Sequence, residues 1–186
     1  MIKIIDGDII FCSSKLTLKS LSIYPFRFII QFTTFSKYEH CSQFINGKIA
    51  EATAKNGTYL EPLQEWLDRR YDFVSLDILR HNGKLSKKQL QGILDHWVLT
   101  DGAKYPFFKA FFSAFDYILP KKLKTRSLKA SQFCSEGVLR GYRRGGIIPE
   151  TIKPRYYTPQ ETFELLKKMG FIHIPNIKPS EIIYEK

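Results

Sequence analysis

Apolar residues follow two different periods along this chain, which predicts strands and helices in a mixed order. Residues 9–11 form a short apolar run after a turn, and residues 72–80 alternate between two faces, so both stretches predict strands. Residues 86–99 place apolar side chains at helical spacing behind Ser86, a good N-cap residue. The pattern therefore indicates a protein with both helices and strands.

Four further stretches show helical spacing or helix-start signals, and the sequence predicts a helix in each. One has Pro62 near its start, one is rich in phenylalanine, and one carries the capping-box residues Thr158 and Glu161. The predicted helices cover residues 60–71, 105–119, 134–144 and 158–169.

A β-hairpin is predicted over residues 37–53. Asn46-Gly47 is a strong signal for a type I′ turn, because both turn residues need a positive φ angle. The resulting register pairs Ile45 with Lys48 and puts His40 and Glu51 on one face as diagonal neighbours. The Glu51 carboxylate can then hydrogen-bond the His40 ring and select its tautomer.

The candidate nucleophile lies far along the chain, at Cys134. Its predicted place at the start of a helix, near an imidazolium, lowers the pKa of a thiol. The other two cysteines, Cys12 and Cys41, lack the close spacing of a disulfide framework or a zinc site, which favours a reducing compartment. Cys41 is predicted to be structural, because strand alternation points it away from His40.

Composition and charge narrow the class of protein. The chain has 186 residues, of which 44% are hydrophobic, and this suits a single globular domain over residues 1–186. The net charge is +11 and the isoelectric point is about 9.5. Such a charge favours anionic partners, such as nucleic acid, an anionic lipid surface or an acidic wall polymer.

Neither a secretory signal nor a transmembrane helix is expected. Lys3, Asp6 and Asp8 interrupt the apolar N-terminal stretch. The chain has no uninterrupted apolar run of ~18 residues. The expected location is cytoplasmic, or outside the cell after release without a signal peptide.

Four segments in this order resemble the circularly permuted NlpC-type papain-like cysteine peptidases of the YiiX-like kind. The segments are residues 7–11, 34–40, 47–52 and 133–136. The resemblance implies an α+β fold in which a small antiparallel sheet or barrel packs against helices. It also implies that Cys134 is the nucleophile, His40 the base and Glu51 the orienting carboxylate, with Gln132 or Tyr38 as a second oxyanion donor. No cofactor or metal is expected.

Two residues depart from the pattern of that family. Cys41 follows the histidine where a small apolar residue is usual, and Gly137 stands where a bulky residue is often found. Neither change removes a group from the implied site.

Three functions remain open from the sequence. The first is a thiol hydrolase that cleaves an amide bond, for example in cell-wall peptide (peptidoglycan). The second is a lipid-directed acyltransferase or esterase of the same clan, suggested by the phenylalanine stripe at 107–115 and the positive charge. The third is a non-enzymatic polyanion-binding module, suggested by the basic run at 121–129. Nucleic acid is not the expected partner, since that run lacks interleaved aromatic residues.

Overall fold

The computed structural model describes residues 1–13, 36–53, 55–69, 75–104 and 134–184. Its strands are β1 (Ile2–Lys3), β2 (Ile9–Ser13), β3 (His40–Ile45), β4 (Lys48–Thr53), β5 (Gly57–Pro62), β6 (Ser75–Arg80), β7 (Ile172–Ile177) and β8 (Ile182–Ile183). Its helices are α1 (Leu63–Asp68), α2 (Lys87–Thr100), α3 (Cys134–Arg144) and α4 (Pro159–Lys168). Short 3₁₀ helices cover Pro154–Tyr156 and Pro179–Glu181.

Six of these strands form one antiparallel sheet in the order β5-β4-β3-β2-β6-β7. Across the described residues the sheet is open, with β5 and β7 at its edges, and β1 pairs with β8 in parallel beside it. The predicted α+β class is confirmed. The sequence analysis allowed either a small antiparallel sheet or a barrel, and the described strands form the sheet.

Both faces of the sheet are covered, and β2 shows this most directly. Ile9 and Phe11 belong to the apolar cluster beneath α2, α3 and α4, whereas Ile10 and Cys12 belong to the cluster beneath α1. All four side chains are fully buried. Because side chains alternate along a strand, a strand covered on both faces has apolar residues at every position. Residues 9–12 show this pattern.

The predicted hairpin is confirmed, with Ile45 paired to Lys48. Asn46 and Gly47 have φ angles of 51° and 74°, as a type I′ turn requires. The pairing of β3 with β4 ends at Gln43 and Ala50, so His40 and Glu51 lie beyond it.

The helix-start signals also hold. Ser86 and Thr158 each cap a helix through a full capping box, with Gln89 and Glu161 as the reciprocal partners. Among the helices in the described ranges, none combines the length and apolar character that a membrane span requires.

The predicted helix over residues 60–71 is partly wrong. Residues 60–62 instead end strand β5, and helix α1 begins only after Pro62. The reason is tertiary: β5 pairs along the whole of β4, and this pairing outweighs the local helix signal. The predicted helix at 105–119, the basic run at 121–129 and Gln132 lie outside the described residues.

Helices α2 and α3 pack closely because glycines lie at their contact. A Cβ on Gly137 would lie 2.5 Å from the Trp97 ring. A Cβ on Gly92 would lie 2.8 Å from the carbonyl oxygen of Arg144 and 2.8 Å from the Cα of Gly145. A bulky residue after the Cys-Ser-Glu triplet is therefore incompatible with this helix pair, which explains Gly137.

We expect Gly92→Ala to lower the free energy of unfolding by about 1–3 kcal/mol, although alanine favours a helix over glycine. The new methyl group meets backbone atoms, which cannot move aside as a side chain can. Urea denaturation measures the change. Gly83→Ala is the control, because its Cβ would contact only the His81 ring, at 3.7 Å. Equal stability of the two variants would contradict the close packing.

Candidate functional site

His40 and Glu51 form the first half of the candidate site. The His40 Nε2 and the Glu51 Oε2 are 2.7 Å apart. An ionised carboxylate only accepts hydrogen bonds, so Nε2 is the donor. The His40 side chain is 13% exposed and that of Glu51 is fully buried. The remaining ring nitrogen, Nδ1, is thereby left for another partner.

The Glu51 carboxylate is held by side chains from two further elements. The hydroxyl of Tyr59, opposite Glu51 on β5, donates to Oε1. The Trp66 indole on α1 donates to Oε2 at 3.1 Å. A buried carboxylate with three donors keeps a fixed orientation, and its hydrogen bond fixes the ring of His40 in turn.

Cys134 completes the candidate site as the first residue of α3, which packs against β3 and β4. Its side chain is buried, and the charge of His40 lowers the pKa of its sulfur. His40 is the first residue of β3, so a group packed on the opposite face of the sheet can reach its ring at the strand end. The structure thus brings together the three residues on which the sequence interpretation depends.

Cys41 also acts on Cys134, because its thiol is the main cause of the lowered pKa of the Cys134 sulfur. Cys41 points away from His40, as strand alternation predicts. The sequence analysis did not foresee which helix covers the face that Cys41 occupies. The face that Cys41 occupies is the one that α3 covers, so Cys41 and Cys134 share one buried cluster.

The charges in this cluster are strongly coupled. The Cys41 thiol is the main cause that lowers the pKa of Cys134 well below its usual range; burial opposes it, and the charge of His40 adds to it. Burial lowers the pKa of His40, but the negative charges of Cys134 and Glu51 outweigh burial and raise that pKa to about 9. Burial raises the pKa of Cys41. These directions favour a Cys134 thiolate and a His40 imidazolium, and they favour the neutral thiol of Cys41.

The start of α3 is anchored from two sides. The Ser135 hydroxyl donates to the backbone oxygen of Tyr157 at 2.7 Å. The Trp97 indole, which lies against Gly137, donates to the Gln43 side chain on β3 at 2.8 Å. These contacts set the position of Cys134 relative to the strand that carries His40.

Tyr38, one of the two expected oxyanion donors, uses its hydroxyl proton elsewhere. That hydroxyl donates to Asp77 on β6, and the ring is buried against Phe11 and Phe163. The other candidate, Gln132, lies outside the described residues, so the structure gives its side chain no position.

Asp77 is a buried carboxylate that the sequence analysis did not single out. Besides Tyr38, it accepts hydrogen bonds from Lys37 Nζ at 2.8 Å, His173 Nε2 at 3.1 Å and the backbone N–H of Asn176 at 2.8 Å. Burial opposes its ionisation, but these donors outweigh burial and lower the pKa of Asp77 to about 2. Asp77 thus ties the segment that leads into His40 to β6 and β7.

Two partners of Glu51 were also missed. The turn signal Asn56-Gly57 could have revealed Tyr59, because a strand starting there pairs with β4 and puts Tyr59 opposite Glu51. No local signal identifies Trp66. Two other histidines have partners outside this cluster: His173 binds Asp77, and His81 contacts the backbone of Gly83.

No protein-family model and no curated protein matches the chain. It is similar to a solved structure described as the metalloprotein YiiX from Escherichia coli O157:H7, with a TM-score of 0.51 and 21% identity. The match covers 95% of this chain and 89% of that chain. At this identity the likeness shows a YiiX-like fold; membership of the papain-like peptidases stays a prediction. Within the described ranges, no group of three or more potential metal ligands occurs.

We expect Glu51→Gln to lower the pKa of His40 by about one unit, because the amide removes a negative charge from beside the imidazolium. Nuclear magnetic resonance titration of the ring measures that pKa, starting from about 9 in the unmodified protein. Glu61→Gln is the control, since Glu61 on the next strand pairs with Arg69. An unchanged His40 pKa in Glu51→Gln would refute the pairing.

Asp77 predicts a specific acid dependence of stability. Its folded pKa of about 2 lies below the ordinary 3.8, so its ionised form stabilises the fold above pH ~4 and this contribution is lost as pH falls through about 2. Asp77→Asn is therefore least stable relative to the unmodified protein at neutral pH, and the gap narrows in acid. Urea denaturation across this pH range measures it, and a constant gap would contradict the assignment.

Proposed function

We propose that this protein is a thiol hydrolase that cleaves amide bonds through Cys134, His40 and Glu51. The observation that carries the proposal is the buried pair of His40 and Glu51, whose ring and carboxylate are hydrogen-bonded, together with the opposite pKa shifts of His40 and Cys134, which each charge causes in the other. The thiolate is the attacking form of cysteine, and the charges of this site favour it at neutral pH.

In this proposal the Cys134 thiolate attacks the carbonyl carbon of the substrate. The backbone N–H of Cys134 at the start of α3 is the proposed oxyanion donor. His40 then gives its proton to the leaving amine, which leaves an acyl group on the sulfur. A water molecule, deprotonated by His40, releases the acid. Glu51 keeps Nε2 of His40 protonated, so the nitrogen that faces the sulfur handles the proton.

The proposed substrate is an amide in an anionic peptide, such as cell-wall peptide. The net charge of +11 supports an anionic substrate but does not select a chemical class. A lipid ester or amide would suit the same site and charge, and the phenylalanine stripe at 107–115 that suggested lipid lies outside the described residues. We therefore commit to the peptide and treat lipid as an outcome of the test.

The test is turnover of an activated ester, a cell-wall peptide and a phospholipid vesicle by the full chain. We expect an acyl group on Cys134, detected by mass spectrometry, and amide cleavage in the peptide. Cys134→Ser should reduce the rate about 1,000-fold and His40→Ala at least ~100-fold, because each removes a reacting group.

His81→Ala is the matched control for His40→Ala, since His81 hydrogen-bonds the backbone of Gly83 instead. A chelator should leave the rate unchanged, and a loss of rate would instead indicate a metal-dependent reaction. Acylation of Cys134 by the vesicle alone would move the substrate class to lipid. Turnover that survives Cys134→Ser would refute the proposed hydrolase.

A further inference from the structure

Tyr59 lies between the buried carboxylate of the proposed site and a half-exposed arginine. Its hydroxyl donates to Oε1 of Glu51, and Nη2 of Arg69 lies 3.4 Å from the same hydroxyl oxygen. Tyr59 is on β5, directly opposite Glu51 on β4, and Arg69 directly follows α1. Residues from two strands and the end of a helix therefore form one continuous chain of hydrogen bonds.

The direction of this chain follows from the chemistry of its members. A guanidinium has donors and no acceptor, so Arg69 donates to the oxygen of Tyr59. The single hydroxyl proton of Tyr59 is then directed to Glu51. Burial and the charge of Glu51 raise the pKa of Tyr59, so the hydroxyl keeps that proton at neutral pH. An ion pair with Glu61 holds Arg69 in turn.

The two oxygens of the Glu51 carboxylate are held by different neighbours. Oε2 accepts hydrogen bonds from His40 and from the Trp66 indole, whereas Oε1 accepts one from Tyr59. The Tyr59 hydroxyl therefore opposes rotation of the carboxylate about its Cγ–Cδ bond. Such a rotation would move Oε2 away from Nε2 of His40, so the hydroxyl helps to maintain the pairing of ring and carboxylate.

We propose that Tyr59 is a positioning residue of the proposed reaction, which locks the Glu51 carboxylate against the His40 ring while Arg69 directs the hydroxyl proton. This inference rests on the proposed function. Tyr59 acts through Glu51 and His40 and takes no part in proton transfer. A role in packing alone would require the aromatic ring, whereas this role requires the hydroxyl, so Tyr59→Phe separates the two.

The first experiment is hydrolysis of 4-nitrophenyl acetate by the full chain, with kcat and KM determined separately. In the proposed reaction His40 activates the water that releases the acyl group, so kcat reports on how well its ring is held. Tyr142→Phe is the matched control, because it also removes a buried hydroxyl donor, in this case to the backbone oxygen of Gly7. Thermal unfolding checks that each variant is folded.

We expect Tyr59→Phe to lower kcat about tenfold with KM unchanged, since it removes a hydrogen bond to a charged group. Tyr142→Phe should leave both constants unchanged. An unchanged kcat in Tyr59→Phe would overturn the inference. A loss expressed in KM would also overturn it, because that result would assign Tyr59 to substrate binding.

A double-mutant cycle tests the part assigned to Arg69. Arg69→Leu alone should lower kcat about threefold, because a half-exposed cation has a modest effect and acts on Glu51 through the tyrosine hydroxyl. Added to Tyr59→Phe, it should cause no further loss. An unchanged kcat in Arg69→Leu, or losses that multiply in the double variant, would overturn the part assigned to Arg69.

A measurement without substrate tests the same restraint. Nuclear magnetic resonance records the exchange of the His40 Nε2 proton with water, which requires the hydrogen bond to Glu51 to open. Tyr59→Phe should speed up this exchange about tenfold, and Tyr142→Phe should leave it unchanged. Equal exchange rates in the unmodified protein and in Tyr59→Phe would overturn the inference.

His40→Ala separates this inference from the proposed function. If His40→Ala lowers kcat and Tyr59→Phe does not, the proposed reaction stands and the role of Tyr59 falls. If His40→Ala keeps the full kcat, the proposed function fails, and the catalytic role of Tyr59 fails with it. The exchange of the Nε2 proton still shows in that case whether Tyr59 holds Glu51.

Discussion

The buried carboxylate of Glu51 is the constraint on which this site depends. A carboxylate removed from water must be hydrogen-bonded, and here the donors come from β3, β5 and α1. The need to satisfy one buried group thus links three separate parts of the chain. It also leaves a single nitrogen of the His40 ring to face the sulfur.

The second constraint is the close approach of α2 and α3. Gly92 lets the two helices meet at backbone distance, and Gly137 leaves room for the ring of Trp97, which then reaches Gln43 on β3. The start of α3 is consequently placed by packing across the α2 interface, and Cys134 is the residue at that start. This placement lowers the pKa of Cys134, because Cys41 and the charge of His40 both act on its sulfur.

Local signals account for the parts of this structure that the sequence predicts. The Asn46-Gly47 turn sets the hairpin register, and with it the shared face of His40 and Glu51. The caps at Ser86 and Thr158 set two helix starts. The missed features depend on distant partners. Residues 60–62 are in a strand because they pair with β4, and the shared cluster of Cys41 and Cys134 depends on which face of the sheet α3 covers. Asp77 was missed for the same reason, since its donors come from opposite ends of the chain.

The central claim is that Cys134 is ionised beside a protonated His40 in the resting protein. The most direct measurement is the ultraviolet absorbance of the thiolate, recorded as the difference between the unmodified protein and Cys134→Ala during a pH titration. The account predicts that the thiolate band is already present at neutral pH and disappears only in acid. A band that appears only near the ordinary thiol pKa of ~8.5 would contradict it.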